Sequence, residues 1–217
     1  MKRLKESIEL LKRNGYKILK EAFDDVSDEI LEKVTQRTKD HIKRVKYFYN
    51  LTLRQGMIPE EYENSSEVSK HDNDKMIPEN LRRQALRYTY TPDELTPEIE
   101  QEIQDVVHEH VKANKHHCEY WGNGDHRTVG MDCTAMPLEY VYEMLADWAS
   151  TAEERGGTVD SWYRASVINV GGKRWKFSDE AIDIMEEIIP WLDGKLDKSL
   201  KRDYGLTFID PAFLKKR

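Results

Sequence analysis

Residues 27–56 read SDEILEKVTQRTKDHIKRVKYFYNLTLRQG, and their pattern sets the expected fold class. The side chains of one face recur at steps that alternate between three and four, which is typical of a long amphipathic helix. That face carries Leu31, Val34, Thr38, His41, Val45, Phe48 and Thr52. Ser27 is a favourable N-cap for this helix, and Gly56 is a favourable end.

The rest of the chain shows mostly the same helical spacing. Helices are predicted on both sides of a turn at Asn14-Gly15, and over residues 78–88, 97–117, 138–154 and 178–200. The segment 162–177 is the exception, because Gly171-Gly172 separates two short runs that predict a β-hairpin. We therefore expect an all-α helical bundle with one small hairpin.

Length and composition favour one structural domain and exclude several classes of protein. We expect residues 1–35 to form an N-terminal helical extension, 36–155 the core, and 156–217 the hairpin and a C-terminal helix packed on that core. The net charge of −7 argues against general nucleic-acid or membrane-surface binding. No apolar run approaches the roughly 18 residues of a transmembrane helix. The two cysteines make no disulfide framework, so a cytoplasmic location is expected.

The seven histidines are the most informative residues. Imidazole and carboxylate side chains facing a core must be paired or bound to something, because burying them alone is costly. Together they are ligands for Mn, Fe, Co, Ni or Zn. We predict a centre of one or two such divalent ions between helices, with the ligands His41, His71, Asp72, His110, His117 and Asp147. His116 falls nearly opposite to His117 if its helix stays regular, and which of these two histidines is a ligand stays open.

Simpler interpretations of the same residues remain open. His41 alone can be a packed or hydrogen-bonded core histidine, and His116-His117 can be a cation pair at a helix C-terminus. A structural zinc site on Cys118, Cys133 and two histidines is a further alternative, although the close cysteine spacing of zinc fingers is missing.

The order His, His-Asp, His, His, Asp along the chain is similar to a known signature. It resembles the HD-domain superfamily of metal-dependent phosphohydrolases, whose members have a histidine on an early helix, a later His-Asp doublet and a distant aspartate. Members with two metals add two histidines before the last aspartate. This resemblance implies an HD-domain-like helical bundle around the ligands of residues 36–155, with Asp72 as a bridging ligand.

Four short strings carry a tighter resemblance over roughly residues 38–150. They are His71-Asp72-Asn73-Asp74-Lys75, Asn114-Lys115-His116-His117-Cys118-Glu119-Tyr120-Trp121, Met136-Pro137 and Glu143-Met144-Leu145-Ala146-Asp147-Trp148. These strings are similar to an uncharacterised family of bacteria and their phages, catalogued as a domain of unknown function. That family usually has His-Asp-Leu-Ser-Lys at the doublet, so Asn73 and Asp74 depart from its pattern. Glu109 also stands where the family typically has a second histidine.

The function expected from these resemblances is hydrolysis of a nucleotide or related small phosphoester by metal-activated water. Asp72 and Lys75 are the expected catalytic residues, with Lys75 neutralising phosphate charge. Substrate contacts are expected from Lys75, Asn114, His116, Tyr120 and Trp121. The Tyr120 and Trp121 rings would stack on a base, although aromatic residues at a helix end are more often core.

Two other functions are compatible with this sequence. Two irons on the same ligands would make an HD-type di-iron oxygenase. A non-catalytic phage or bacterial factor would bind a nucleotide or a protein instead. For each of the three functions we expect the protein in the cytoplasm of a bacterium, or of the host cell if a phage encodes it. Each function is also compatible with a homo-oligomer.

Overall fold

The computed structural model describes residues 2–63, 65–122, 124, 128–168, 174–199 and 204–206. Within these ranges the α-helices are α1 Lys2–Asp25, α2 Asp28–Arg54, α3 Ser66–Lys70, α4 Pro78–Thr89, α5 Pro97–Ala113, α6 Cys118–Trp121, α7 Leu138–Arg155, α8 Val159–Ser166 and α9 Asp179–Asp193. Short 3₁₀ turns cover Glu60–Tyr62, Asn73–Met76 and Pro92–Glu94. The two strands are β1 Met131–Asp132 and β2 Trp175–Lys176. The predicted all-α fold class is confirmed.

Local sequence explains where several helices begin and end. The Ser27 hydroxyl accepts a hydrogen bond from the Ile30 amide at 3.2 Å, which caps α2 as predicted. Pro78 occupies the first turn of α4, where its missing N–H costs nothing. Gly156 ends α7 in the left-handed conformation with φ 73°, which glycine adopts without steric cost.

The chain divides into two compact units. The first unit gathers the described residues of Met1–Gln36, Asp74–Glu109 and Tyr204–Arg217, and the second those of Arg37–Asn73 and His110–Asp203. This grouping differs from the division expected from sequence, because residues 74–109 join the N-terminal helix rather than the segments on either side of them.

The first unit is held by α1, α4 and the residues of α2 and α5 that belong to it. Its core is apolar and consists of Ala22, Val26, Val34, Leu81, Ala85, Leu86, Ile99 and Ile103. Arg83 forms ion pairs with Glu102 and Glu109 on α5. The Tyr90 hydroxyl donates to Asp25 at 2.8 Å, which ties the chain after α4 to the end of α1.

The second unit is built around α7, of whose 18 residues twelve are buried. Helices α8 and α9 pack on it. Residues 37–54 of α2 are joined to it by Arg37, which pairs with Glu154 at 2.6 Å, and by Arg44, which pairs with Glu153 at 2.5 Å. This packing brings the inner faces of α2 and α7 together and creates the site described below.

Four local predictions were wrong, one of them being the helix over 178–200, which ends at Asp193. Helix α1 runs through Asn14-Gly15 without a turn, and α5 ends at Ala113 rather than near His117. The hairpin is replaced by a parallel pair in which Met131 faces Trp175, while residues 162–166 belong to α8. At Asn14-Gly15 the tertiary context outweighs the turn preference of these two residues. Residues 169–173, which include Gly171-Gly172, lie outside the described residues.

None of the helices in the described ranges has the apolar length that a bilayer crossing needs.

Gly15 offers a direct test of the uninterrupted α1. A Cβ at this position would lie 3.7 Å from Glu98 Cγ, which is ordinary van der Waals contact. Because glycine inside a helix costs about 0.5–1 kcal/mol relative to alanine, Gly15→Ala is expected to raise the free energy of unfolding by about that amount. Denaturant unfolding monitored by circular dichroism checks this. A destabilised variant would contradict a helix through this position.

Candidate metal centre

The structure brings all six predicted ligands together in the second unit. They come from five segments: His41 on α2, His71 and Asp72 directly after α3, His110 on α5, His117 before α6, and Asp147 on α7. Lys75 belongs to the first unit. Its catalytic and substrate roles stay predictions.

Asp72 is the central residue of the site and has an unusual backbone conformation. Its φ is 56°, the only positive φ of a non-glycine residue among those the structure describes, and its side chain is fully buried. The left-handed region is disfavoured for residues with a Cβ, although aspartate and asparagine tolerate it best. Such strain, of order 1 kcal/mol, persists where the surroundings enforce it, and it is concentrated at functional sites.

One group of side chains faces the Oδ2 atom of Asp72. His41 Nε2 lies 3.4 Å and His71 Nε2 lies 3.6 Å from this oxygen. The two imidazole nitrogens are 3.4 Å apart, and His41 Nε2 is 3.1 Å from Asp147 Oδ1. We name His41, His71 and Asp147 the Oδ2 half of the centre.

A second group faces the other oxygen of the same carboxylate. His110 Nε2 lies 3.3 Å and His116 Nε2 lies 3.7 Å from Asp72 Oδ1. His117 Nε2 is 3.0 Å from His110 Nε2. We name His110, His116 and His117 the Oδ1 half.

These distances fit the donor atoms of a bound ion in each half. Ligand atoms held at about 2.0–2.2 Å from one ion lie roughly 3.0–3.5 Å apart. The separations within the two halves run from 3.0 Å to 3.7 Å. The residues present therefore fit one divalent ion per half, with Asp72 shared between them.

Buried acceptors orient three of the imidazoles for this role. The Ser150 hydroxyl lies 3.1 Å from His41 Nδ1, and Glu143 Oε1 lies 2.8 Å from His71 Nδ1 and 3.2 Å from His116 Nδ1. An Nδ1–H donated to these oxygens leaves Nε2 as the atom that faces Asp72. This is the arrangement in which metal-binding histidines are usually held.

The charges of the Oδ2 half depend on its hydrogen bonds. Burial lowers the pKa of His41, but the hydrogen bonds and charges of Asp147 and Asp72 outweigh this effect and raise it to about 9. Burial raises the pKa of Asp147, yet the hydrogen bond to His41 holds it well below its usual range. Burial lowers the pKa of His71 despite the neighbouring Asp72. A bound cation would take the place of the proton on His41 Nε2.

The prediction that places His116 nearly opposite His117 depends on a regular helix, which the structure does not have there. Because α5 ends at Ala113, the following turn directs both His116 and His117 into the centre instead of placing them on opposite helix faces. His116 is 3 % exposed, and its buried Nε2 has no hydrogen-bond partner among the described residues. Its ring nitrogen converges with donor atoms of Asp72, His110 and His117, and its contact with substrate stays a prediction.

Sequence reasoning also missed the two acceptors on α7. Glu143 and Ser150 are buried polar residues at four residues before and three residues after Asp147. This spacing places all three on one helix face, which was a usable signal.

The remaining predicted substrate residues have mixed surroundings. The Asn114 amide donates to the His110 carbonyl at 2.8 Å and lies 3.0 Å from His110 Nδ1, so it holds that ring in place. Trp121 donates to the Lys115 carbonyl at 2.7 Å and packs on Tyr140, as a core residue does. Tyr120 is 39 % exposed. Its role in base stacking stays a prediction.

The alternative zinc site on the cysteines gains no support. Cys118 and Cys133 are both buried in the apolar core, and the Cys133 thiol donates to the Cys118 carbonyl at 3.6 Å. In the part of the chain that the structure describes, neither cysteine belongs to a converging group of ligand side chains.

One comparison with known proteins gives a match. A family model described as "Family of unknown function (DUF5662)" matches residues 31–190. The matched range contains every residue of the Oδ1 and Oδ2 halves, as well as Asp72, Glu143 and Ser150. No curated protein and no solved structure matches the chain.

Proposed function

The chain belongs to the family of unknown function DUF5662, whose model covers well over half of its 217 residues, and we propose that it is a metal-dependent phosphohydrolase with an HD-domain-like centre. The proposed substrate is a nucleotide or a related small phosphoester. The proposed cofactor is one or two divalent ions of Mn, Fe, Co, Ni or Zn. The proposed chemistry rests on the site and on the resemblance to the HD-domain superfamily, because the family description names no activity.

The observation that carries the proposal is the position of the Asp72 carboxylate. Each of its oxygens faces a separate group of imidazole nitrogens, at 3.4 Å for His41 and 3.3 Å for His110. Two ions held on one carboxylate lie close enough to engage both the attacking and the leaving oxygens of a phosphoryl group. This arrangement favours phosphoester hydrolysis over reactions that need a single ion.

The residues of the site would have different roles around the bound ions. Divalent ions, when bound, acidify water to supply a nucleophile near neutral pH and neutralise phosphate charge. Asp72 would hold the two halves at a fixed separation, while Ser150 and Glu143 keep Nε2 of their histidines directed inward. Asp147, 3.1 Å from His41 Nε2, would add a second carboxylate to the Oδ2 half.

The negative charge of the protein is compatible with a phosphorylated substrate. The net charge of −7 includes Asp72, Glu143 and Asp147, which are buried or nearly buried in the centre. Bound cations would reverse the sign of the local field there. We propose the cytoplasm of a bacterium or of a phage-infected host as its location.

Phosphate release is the direct test of this function. Protein stripped with a chelator and reloaded with Mn²⁺ or Co²⁺ is incubated with nucleoside mono-, di- and triphosphates and with cyclic nucleotides. We expect turnover of at least one class, no turnover in the chelated protein, and recovery on adding the ion back. Metal analysis of the same samples gives the number of ions bound.

Two results would contradict the proposal. Absence of turnover on every class, with ions demonstrably bound, argues against a phosphohydrolase. A mixed-valent iron signal by electron paramagnetic resonance, with oxygen consumption, would favour the di-iron oxygenase instead.

A further inference from the structure

Glu143 occupies a special position between the two halves of the metal centre. It lies on α7 and is 2 % exposed. Its Oε1 atom is 2.8 Å from Nδ1 of His71 and 3.2 Å from Nδ1 of His116. The centroids of these two imidazole rings are 4.3 Å apart. One carboxylate oxygen therefore contacts a histidine of the Oδ2 half and a histidine of the Oδ1 half.

Two further groups contact an Nδ1 atom of the centre, and each of them contacts a histidine of one half. Ser150 Oγ contacts His41 in the Oδ2 half, and Asn114 Nδ2 contacts His110 in the Oδ1 half. Both of these groups are neutral. Glu143, in contrast, is a carboxylate, and it contacts an Nδ1 atom in each half.

Two physical effects follow from this geometry. A carboxylate that accepts the Nδ1–H bond fixes the imidazole ring and makes Nε2 a stronger ligand, and its loss typically costs 10- to 100-fold in metal affinity. In addition, one negative charge placed beside both halves offsets the mutual repulsion of two cations. Each effect acts in the two halves at once, because the same oxygen serves both rings.

We propose that Glu143 is a positioning residue that couples the two halves, so that binding of both ions depends on its single charge. This inference rests on the proposed function only in so far as that function places an ion in each half. His71 and His116 transmit the effect, since their Nε2 atoms lie 3.6 Å and 3.7 Å from different oxygens of Asp72.

Three variants of the full chain separate this role from general destabilisation. Glu143→Gln keeps the shape of the side chain and removes the charge. Ser150→Ala removes the hydroxyl that contacts His41 Nδ1, a contact made in the Oδ2 half and not in the Oδ1 half. Glu139→Gln makes the same change of charge one turn earlier on α7 and serves as the control. Mn²⁺ binding is measured by calorimetry, and circular dichroism checks the folding of each variant.

The expected result is a distinct pattern for each variant. Both Mn²⁺ affinities fall about tenfold or more in Glu143→Gln, one falls in Ser150→Ala, and neither changes in Glu139→Gln. Weakening of one ion only in Glu143→Gln, while the wild type binds two, overturns this inference and leaves the proposed function standing. A wild type that binds no ion overturns both.

The wild-type protein supplies an independent readout if Glu143→Gln does not fold. Histidine ¹⁵N spectra of the Zn²⁺-loaded protein report which ring nitrogen carries the proton. We expect Nδ1–H at both His71 and His116. An Nε2–H tautomer at either ring overturns the coupling through Glu143.

Discussion

Asp72→Asn is expected to lower the affinity for Mn²⁺ by more than about a hundredfold and to abolish phosphate release. Loss of a residue that merely orients a ligand already costs 10- to 100-fold, and Asp72 is shared directly by both halves. Asparagine tolerates the left-handed backbone at φ 56° as well as aspartate does, so the substitution changes the ligand and not the backbone. Calorimetry and metal analysis measure the effect.

The control for this variant is Asp132→Asn. Asp132 is exposed on β1, where its carboxylate accepts hydrogen bonds from the amide and the hydroxyl of Thr134. We expect this variant to bind Mn²⁺ as the wild type does. An Asp72→Asn protein that keeps two ions at wild-type affinity would show that the carboxylate is not the shared ligand.

The second large effect is on thermal stability. Metal-free protein should melt well below metal-loaded protein, because an ion that binds only the folded state stabilises it by about 2.7 kcal/mol at one hundred times its Kd. For a chain of 217 residues this corresponds to a rise in Tm of roughly 5–10 °C for each ion. Scanning calorimetry of chelator-treated protein, with and without added Mn²⁺, gives the shift.

A comparison of Mg²⁺ with Mn²⁺ tests whether the stabilising ion binds to the imidazoles of the centre. Mg²⁺ prefers oxygen ligands, whereas five of the side chains in the centre are imidazoles, so Mg²⁺ is expected to raise Tm less than Mn²⁺ does. The shift should also be lost in Asp72→Asn. An equal shift in that variant would place the stabilising ion elsewhere, and no shift with Mn²⁺, Co²⁺ or Zn²⁺ would argue against the centre.

Much of the helical architecture could be predicted because its signal is local. Alternating steps of three and four over residues 27–56 predicted α2, and Ser27 caps that helix as expected. The errors fall where local preference and packing disagree. Gly15 continues α1, and Trp175 pairs with Met131 in β1, a partner that is distant in sequence.

The candidate site was predicted in part. Helical phase and residue type predicted that His41, His110 and Asp147 face a common site, and the structure places all three in the centre. The same reasoning misplaced His116, because it assumed a regular helix beyond Ala113. One missed turn changes the direction of every side chain that follows it.

The sequence by itself determined that this protein is helical and that it carries side chains able to bind a transition metal, since both depend on residue type and on spacing along one chain segment. Only the tertiary structure decided how those side chains are divided. The two oxygens of Asp72 separate the histidines into halves, and Glu143 on α7 joins them again. These relations depend on contacts between residues as much as 72 positions apart, which no local pattern specifies.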